Sequence, residues 1–135
     1  MGGDEGLIIL DTHIWFYYIN DGPEGLSNDA NQIIQKNDTL GVSVISCWEI
    51  AMLVVKGRLR LGIDIQDWID RALKYKGIKL IHLTPEIAVL STRLPGGFHN
   101  DPADRILAAS CLHYGVSLIT RDRAICEWGY IHTVS

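Results

Sequence analysis

LIILDTHIW, residues 7–15, sets four aliphatic residues directly before an acid and then changes rhythm. An apolar run without polar alternation describes a strand buried on both faces, and such strands belong to parallel sheets covered by helices on either side. Runs of the same kind recur at LGVSVI (40–45), KLIHL (79–83) and VSLIT (116–120). Between them, apolar residues return at helical spacing over 15–19, 30–36, 46–55, 65–75, 85–94 and 102–114. Gly57, Gly77 and Gly115 follow helical patterns as C-terminal caps do, and Pro85 after Thr84 marks a helix start. Strands alternating with helices predict an α/β fold of βαβ units, its parallel sheet covered on both faces.

The 135 residues, 47% of them hydrophobic, suffice for one packed core and are too few for two. A single domain over residues 7–135 is expected, with residues 1–6 as an unstructured lead-in. The apolar runs are far shorter than the roughly 20 residues that span a bilayer, and no basic segment precedes the first. No membrane association is expected. Cys47, Cys111 and Cys126 are an odd set without CxxC spacing, which suggests neither disulfides nor a zinc ribbon and fits a reducing cytoplasm. A net charge of −4 argues against bulk attraction to nucleic acid and leaves room for a cation held among acids.

In a parallel sheet with right-handed crossovers, strand C-termini and helix N-termini share the edge where ligands bind. Asp11 follows the first strand, Glu49 lies in the turn after the second, and Asp122 follows the last in a Thr120-x-Asp122 pattern. Asp101 and Asp104 open the helix of HNDPADRILAAS (99–110). Each acid alone has a structural reading. Asp101 would be the N-cap ahead of Pro102, Ser46 and Glu49 would form a capping box, and Asp11 or Asp122 would serve a turn. Convergence is a different matter. Two carboxylates ~5 Å apart at an effective dielectric of ~20 repel by roughly 3 kcal/mol, and several such pairs call for protonation or a bound cation. An all-carboxylate set suits hard divalent cations, Mg²⁺ or Mn²⁺.

At these residues the chain resembles the PIN-domain family, in particular VapC-type toxin ribonucleases of bacterial toxin–antitoxin pairs. The resemblance runs through LIILDTHIW, VSVISCWEIA, LTPEIAVLSTRLP, HNDPADRILAAS and SLITRDRAI in the family's order. It implies a three-layer α/β/α fold with a central, mostly parallel sheet of four to five strands. It implies Asp11, Glu49, Asp104 and Asp122 as catalytic, metal-holding acids, with Asp104 chosen over Asp101 because it immediately precedes the apolar 106–109 run. Thr120 would orient Asp122 or a water, and Asp101 would cap the helix and support the metal site from outside it. The implied activity is a Mg²⁺- or Mn²⁺-dependent endoribonuclease in which metal-activated water cuts RNA to 5′-phosphate and 3′-hydroxyl ends. The implied partners are a VapB-like antitoxin and a second copy in a homodimer. One departure stands out. Many relatives carry a basic residue four positions after the glutamate, where this chain has Leu53, while Lys56, Arg58 and Arg60 follow in KGRLRLG as a cationic or merely solvated loop.

Other residues have paired readings. Arg105, Arg121 and Arg123 would grip substrate phosphates or pair with surplus carboxylates. The aromatic run 15–18 would stack on unpaired bases, or pack in the core or against a protein. Asp64, Asp67 and Asp70 read as the solvated face of an amphipathic helix. His13 and His99 read as surface or hydrogen-bonding histidines, and the loop LPGGFHN (94–100) as built for movement or close backbone approach. Beside the nuclease stands a second reading, a PIN-like module that binds RNA or a partner with little or no turnover. A phosphoaspartate hydrolase of the haloacid dehalogenase type would need a second Asp where His13 stands.

Overall fold

The computed structural model describes residues 6–135; of the expected lead-in, residues 1–5 lie outside the described residues. Five strands, β1 (Leu7–Leu10), β2 (Thr39–Ser43), β3 (Ile78–Ile81), β4 (Leu118–Ile119) and β5 (Thr133–Val134), form one sheet in the order β3-β2-β1-β4-β5. Every pairing is parallel, with Leu7 opposite Thr39, Ile9 opposite Leu118, Leu40 opposite Ile78 and Leu118 opposite Thr133. Gly6, at the edge of the expected lead-in, accepts from Thr39 N at 2.8 Å.

Among the described residues seven α-helices connect and cover the sheet: α1 (Thr12–Asp21), α2 (Asn28–Lys36), α3 (Val44–Val55), α4 (Ile65–Leu73), α5 (Pro85–Ser91), α6 (Pro102–Tyr114) and α7 (Arg123–Trp128). The period of two in β1 divides the core. Ile8 and Leu10 face Trp15 of α1, Ala30 of α2 and Trp68 of α4, while Ile9 faces Leu107, Ala108 and Cys111 of α6 and Ile125 of α7. α5 packs on α6. Gly41 at the centre of β2 leaves no room for a side chain, because a Cβ there would sit 3.0 Å from Ile81 Cγ1 and 3.1 Å from Leu7 Cδ1. Gly115 ends α6 in the left-handed conformation, φ +66°, as its position in the sequence predicts.

One α-helix and one strand escape the sequence reading, the six-residue α7 and the two-residue β5, as does a 3-10 turn at Gly22–Gly25. A further difference concerns α3. Its N-cap is Ser43, three residues before Ser46, whose hydroxyl accepts from Ile45 N at 3.1 Å, so the helix starts at Val44 and the expected capping box does not form. Ser46 and Glu49 are thereby freed for other partners. The aromatic run divides as well, since Trp15 is fully buried against Trp68 with ring centroids 5.2 Å apart, and Tyr17 turns toward the carboxyl edge.

Candidate active site at the carboxyl edge of the sheet

Asp11, Glu49, Asp101, Asp104 and Asp122 line one cavity of about 420 Å³. The topology brings them there, because β1 is central, β2 and β4 flank it, and α6 starts above the same edge. Asp11 caps α1, Asp122 caps α7 by accepting from Ile125 N at 3.0 Å, and Asp101 caps α6 by accepting from Asp104 N at 3.1 Å. Capping accounts for Asp101 as the sequence suggests. Only the backbone of Asp104 takes part in that cap, and its side chain lines the cavity.

Hydroxyl groups fix the two acids nearest the sheet. Thr120 donates to Asp11 Oδ2 at 2.5 Å, and Thr12 N donates to Asp11 Oδ1 at 2.6 Å, so both carboxylate oxygens are held. Thr120 Oγ1 also accepts from Asp122 N at 3.0 Å. Thr120 therefore grips the side chain of Asp11 and only the backbone of Asp122, a different division from the expected one. The fully buried hydroxyls of Thr12 and Ser46 lie 2.8 Å apart, and Thr12 also bonds Glu49 Oε1. A hydroxyl carries one proton, so the chain runs from Ser46 to Thr12 to the Glu49 carboxylate. Neither Thr12 nor Ser46 stands out in the sequence as part of this site. The signal available was a hydroxyl residue directly after Asp11 and another three before Glu49.

The α6 side is built differently. His99 Nδ1 accepts from Asp101 N at 3.3 Å, which puts the ring proton on Nε2, and Nε2 lies 3.3 Å from Asp104 Oδ2 without alignment for a straight hydrogen bond. The ring of His99 stacks on buried Phe98 with centroids 4.5 Å apart. Arg105, expected at substrate phosphates, is otherwise engaged. Its guanidinium donates to the carbonyls of Ser91, Phe98 and His99 at 2.8, 2.8 and 3.0 Å and pins the 94–100 loop onto α6. Trp128 Nε1 bonds Pro95 O at 2.7 Å, and Gly96 and Gly97 both take positive φ, +71° and +69°, with the Tyr130 ring packed where a Cβ of Gly96 would stand. Arg121 is exposed on the cavity rim, bonded to Gly25 O at 3.1 Å, with its guanidinium 5.7 Å from the Tyr17 ring centre. Arg123 pairs with Glu127 on the exposed face of α7 at 3.8 Å.

The electrostatics follow the geometry. Burial pushes Asp11 and Glu49 above the ordinary carboxylate range, and the bonds from Thr120 and Thr12 offset part of that rise. Asp104 has no such relief. Burial first, then repulsion from Asp101, Asp11, Asp122 and Glu49, raises it to about 7. A donor set of this kind fits a hard divalent cation, whose charge removes the repulsion. Single ligand atoms of His99, Asp104 and Asp122 all lie within 4.8 Å of one another. The carboxylates fit an ion directly, whereas His99 turns a proton, not a lone pair, toward Asp104.

The PIN-domain family model matches residues 8–129. The chain is 32% identical over 118 residues to Ribonuclease VapC22 of Mycobacterium tuberculosis, covering 87% of this chain and 88% of that protein. Among solved structures, VapBC2 from Rickettsia felis bound to a DNA fragment from their promoter superposes with a TM-score of 0.70 at 20% identity, over 95% of this chain and 97% of that one. DNA-bound VapBC from Salmonella typhimurium gives 0.68 at 15% identity, over 94% and 96%. At these identities the two structures speak to the fold alone, and both share it. Among the described residues no helix is long and apolar enough to cross a membrane.

Proposed function

The chain belongs to the PIN-domain family, and on that premise we propose that it is a Mg²⁺- or Mn²⁺-dependent endoribonuclease, the toxin of a toxin–antitoxin pair with a VapB-like antitoxin. The observation that carries the reading is the convergence of Asp11, Glu49, Asp104 and Asp122, from four separate elements, on one cavity. In this reading those four acids hold the cation, Thr120 and Thr12 keep the first two in place, and Asp101 supports Asp104 through the helix start. When bound, the ion supplies Lewis-acid stabilisation of phosphodiester charge and lowers the pKa of water. Without it the cavity repels a phosphodiester. Arg121, exposed on the rim, is the cavity's own cation for a non-bridging phosphate oxygen.

Hydrolysis in this reading leaves 5′-phosphate and 3′-hydroxyl ends. The soluble, single-domain form and a homodimer in the cytoplasm belong to the same proposal. The test is cleavage of end-labelled tRNA and mRNA fragments with Mg²⁺, Mn²⁺ or chelator. Cuts that need the cation and vanish in Asp104→Asn are expected. RNA left intact under saturating Mn²⁺ by protein free of antitoxin would overturn the proposal in favour of a binding module.

A further inference from the structure

A second cavity, about 290 Å³, opens from the acidic one and shares His13, Glu49 and Asp101 with it. Its outer wall is Trp48, Met52 and Leu53 of α3, followed by Lys56 and Arg58. Trp48 is 54% exposed and pairs with no aromatic ring among the described residues, whereas Trp15 and Trp68 are buried against each other. Lys56 and Arg58 are exposed, and among the described residues neither is within ion-pair distance of a carboxylate.

We propose that this groove is a single-stranded RNA subsite, in which a base flanking the cleaved bond stacks on Trp48 and the next phosphates lie on Lys56 and Arg58. The inference rests on the ribonuclease reading and adds the strand's path. A nucleic-acid strand crossing a cavity walled by five acids must leave it toward cations. Two exits offer them. Arg121 beside Tyr17 follows β4, and Lys56 with Arg58 follows the helix after β2. β4 and β2 lie on opposite sides of β1, so the two exits flank Asp11 and define a strand path from Tyr17 over the acids to Trp48. An exposed indole beside paired cations is the pattern that binds unpaired bases without sequence readout, by stacking and by phosphate neutralisation. The cation missing at Leu53 is supplied from the same groove by Lys56, one helical turn further on.

The test is fluorescence anisotropy of a labelled single-stranded phosphorothioate RNA 12-mer of mixed sequence in Mn²⁺, whose backbone resists cleavage while the cation relieves the repulsion of the acids, with Mn²⁺ titration calorimetry alongside. Trp48→Ala is expected to weaken RNA binding about tenfold, and Trp48→Phe to restore most of it. Lys56→Glu with Arg58→Glu is expected to weaken binding further at low salt and to flatten its salt dependence. Unchanged melting and Mn²⁺ affinity in these variants would place the defect in the groove. Parental RNA affinity in both would overturn the subsite while leaving the ribonuclease reading intact. Altered self-association in sedimentation with RNA affinity unchanged would make the groove a protein contact and overturn it as well. Failure of the parent to bind or cut RNA at all would remove both readings together.

Discussion

The two halves of the acidic cavity are held by different means. On the sheet side, Asp11 and Glu49 take hydrogen bonds from Thr120, Thr12 and the hydroxyl chain through Ser46, all on rigid, buried elements. On the α6 side, Asp104 has only the misaligned Nε2 of His99, carried on a loop that Arg105 pins. Burial disfavours charge on both sides, and only the first has donors that compensate. In the proposed nuclease the sheet half is thus organised without a cation, and the α6 half is where a bound cation would relieve the most repulsion.

Removing charge from the uncompensated half is expected to have the largest effect. Asp104→Asn should lower RNA cleavage in Mn²⁺ by a hundredfold or more, several kcal/mol of transition-state stabilisation. The same change should raise the melting temperature in chelator, because it ends repulsion from four neighbouring acids. Cleavage assays and melts on one preparation check both. A variant that lost activity and also melted lower would show that Asp104 supports the fold, which erases the contrast.

Breaking the compensated half comes next. Thr12→Val keeps the shape and removes the donor to Glu49, stranding the buried Ser46 hydroxyl, at a stability cost of about 2 kcal/mol. Activity should fall about tenfold, with kcat and not KM carrying the loss, and Thr12→Ser should recover it. Equal loss in Thr12→Ser would point to the methyl group's packing instead.

Much of this contrast was legible only on one side. The ends of the apolar runs LIIL and VSLIT located Asp11 and Asp122, the turn after the second strand located Glu49, and the helix start in HNDPADRILAAS located Asp101 and Asp104. The hydroxyl partners were not legible. Thr12 and Ser46 are 34 residues apart, and their contact exists only because β1 and β2 pair in register. The same contact explains the misplaced start of α3, where two serines three apart each suit an N-cap and a tertiary bond takes Ser46 out of contention. α7 spans under two turns and β5 two residues, too short for a period to show.

The pH dependence of the cation-free protein sharpens the comparison at smaller scale. Asp104 is raised to about 7, and Asp11 and Glu49 are raised too, so the folded state binds more protons than the unfolded one between about pH 4 and 7. Stability from these groups is full below their ordinary pKa values and is lost as pH rises through the folded ones. Its slope for one proton is at most about 1.4 kcal/mol per pH unit, less with solvent screening. Urea melts in chelator should show the decline, and Asp104→Asn should flatten most of it. A flat profile in the parent would mean that the α6 half is better compensated than its contacts indicate.

The smallest effect is expected from His99, whose side chain is 36% exposed and whose contact with Asp104 is long. Its Nδ1 is occupied by Asp101 N, so what it offers Asp104 is a proton donor. Loss of that donor in His99→Leu should cost under about 1 kcal/mol of stability and weaken Mn²⁺ binding severalfold, read by calorimetry. Glutamine can place an amide N–H near the position of Nε2, so His99→Gln should restore cation affinity while a ligand role could not be restored that way. If glutamine fails and the preference for Mn²⁺ over Mg²⁺ narrows, His99 has changed tautomer to ligate the ion. The α6 half would then owe its place to an imidazole ligand, and its sparse hydrogen bonding in the cation-free protein would mark a coordination position held open.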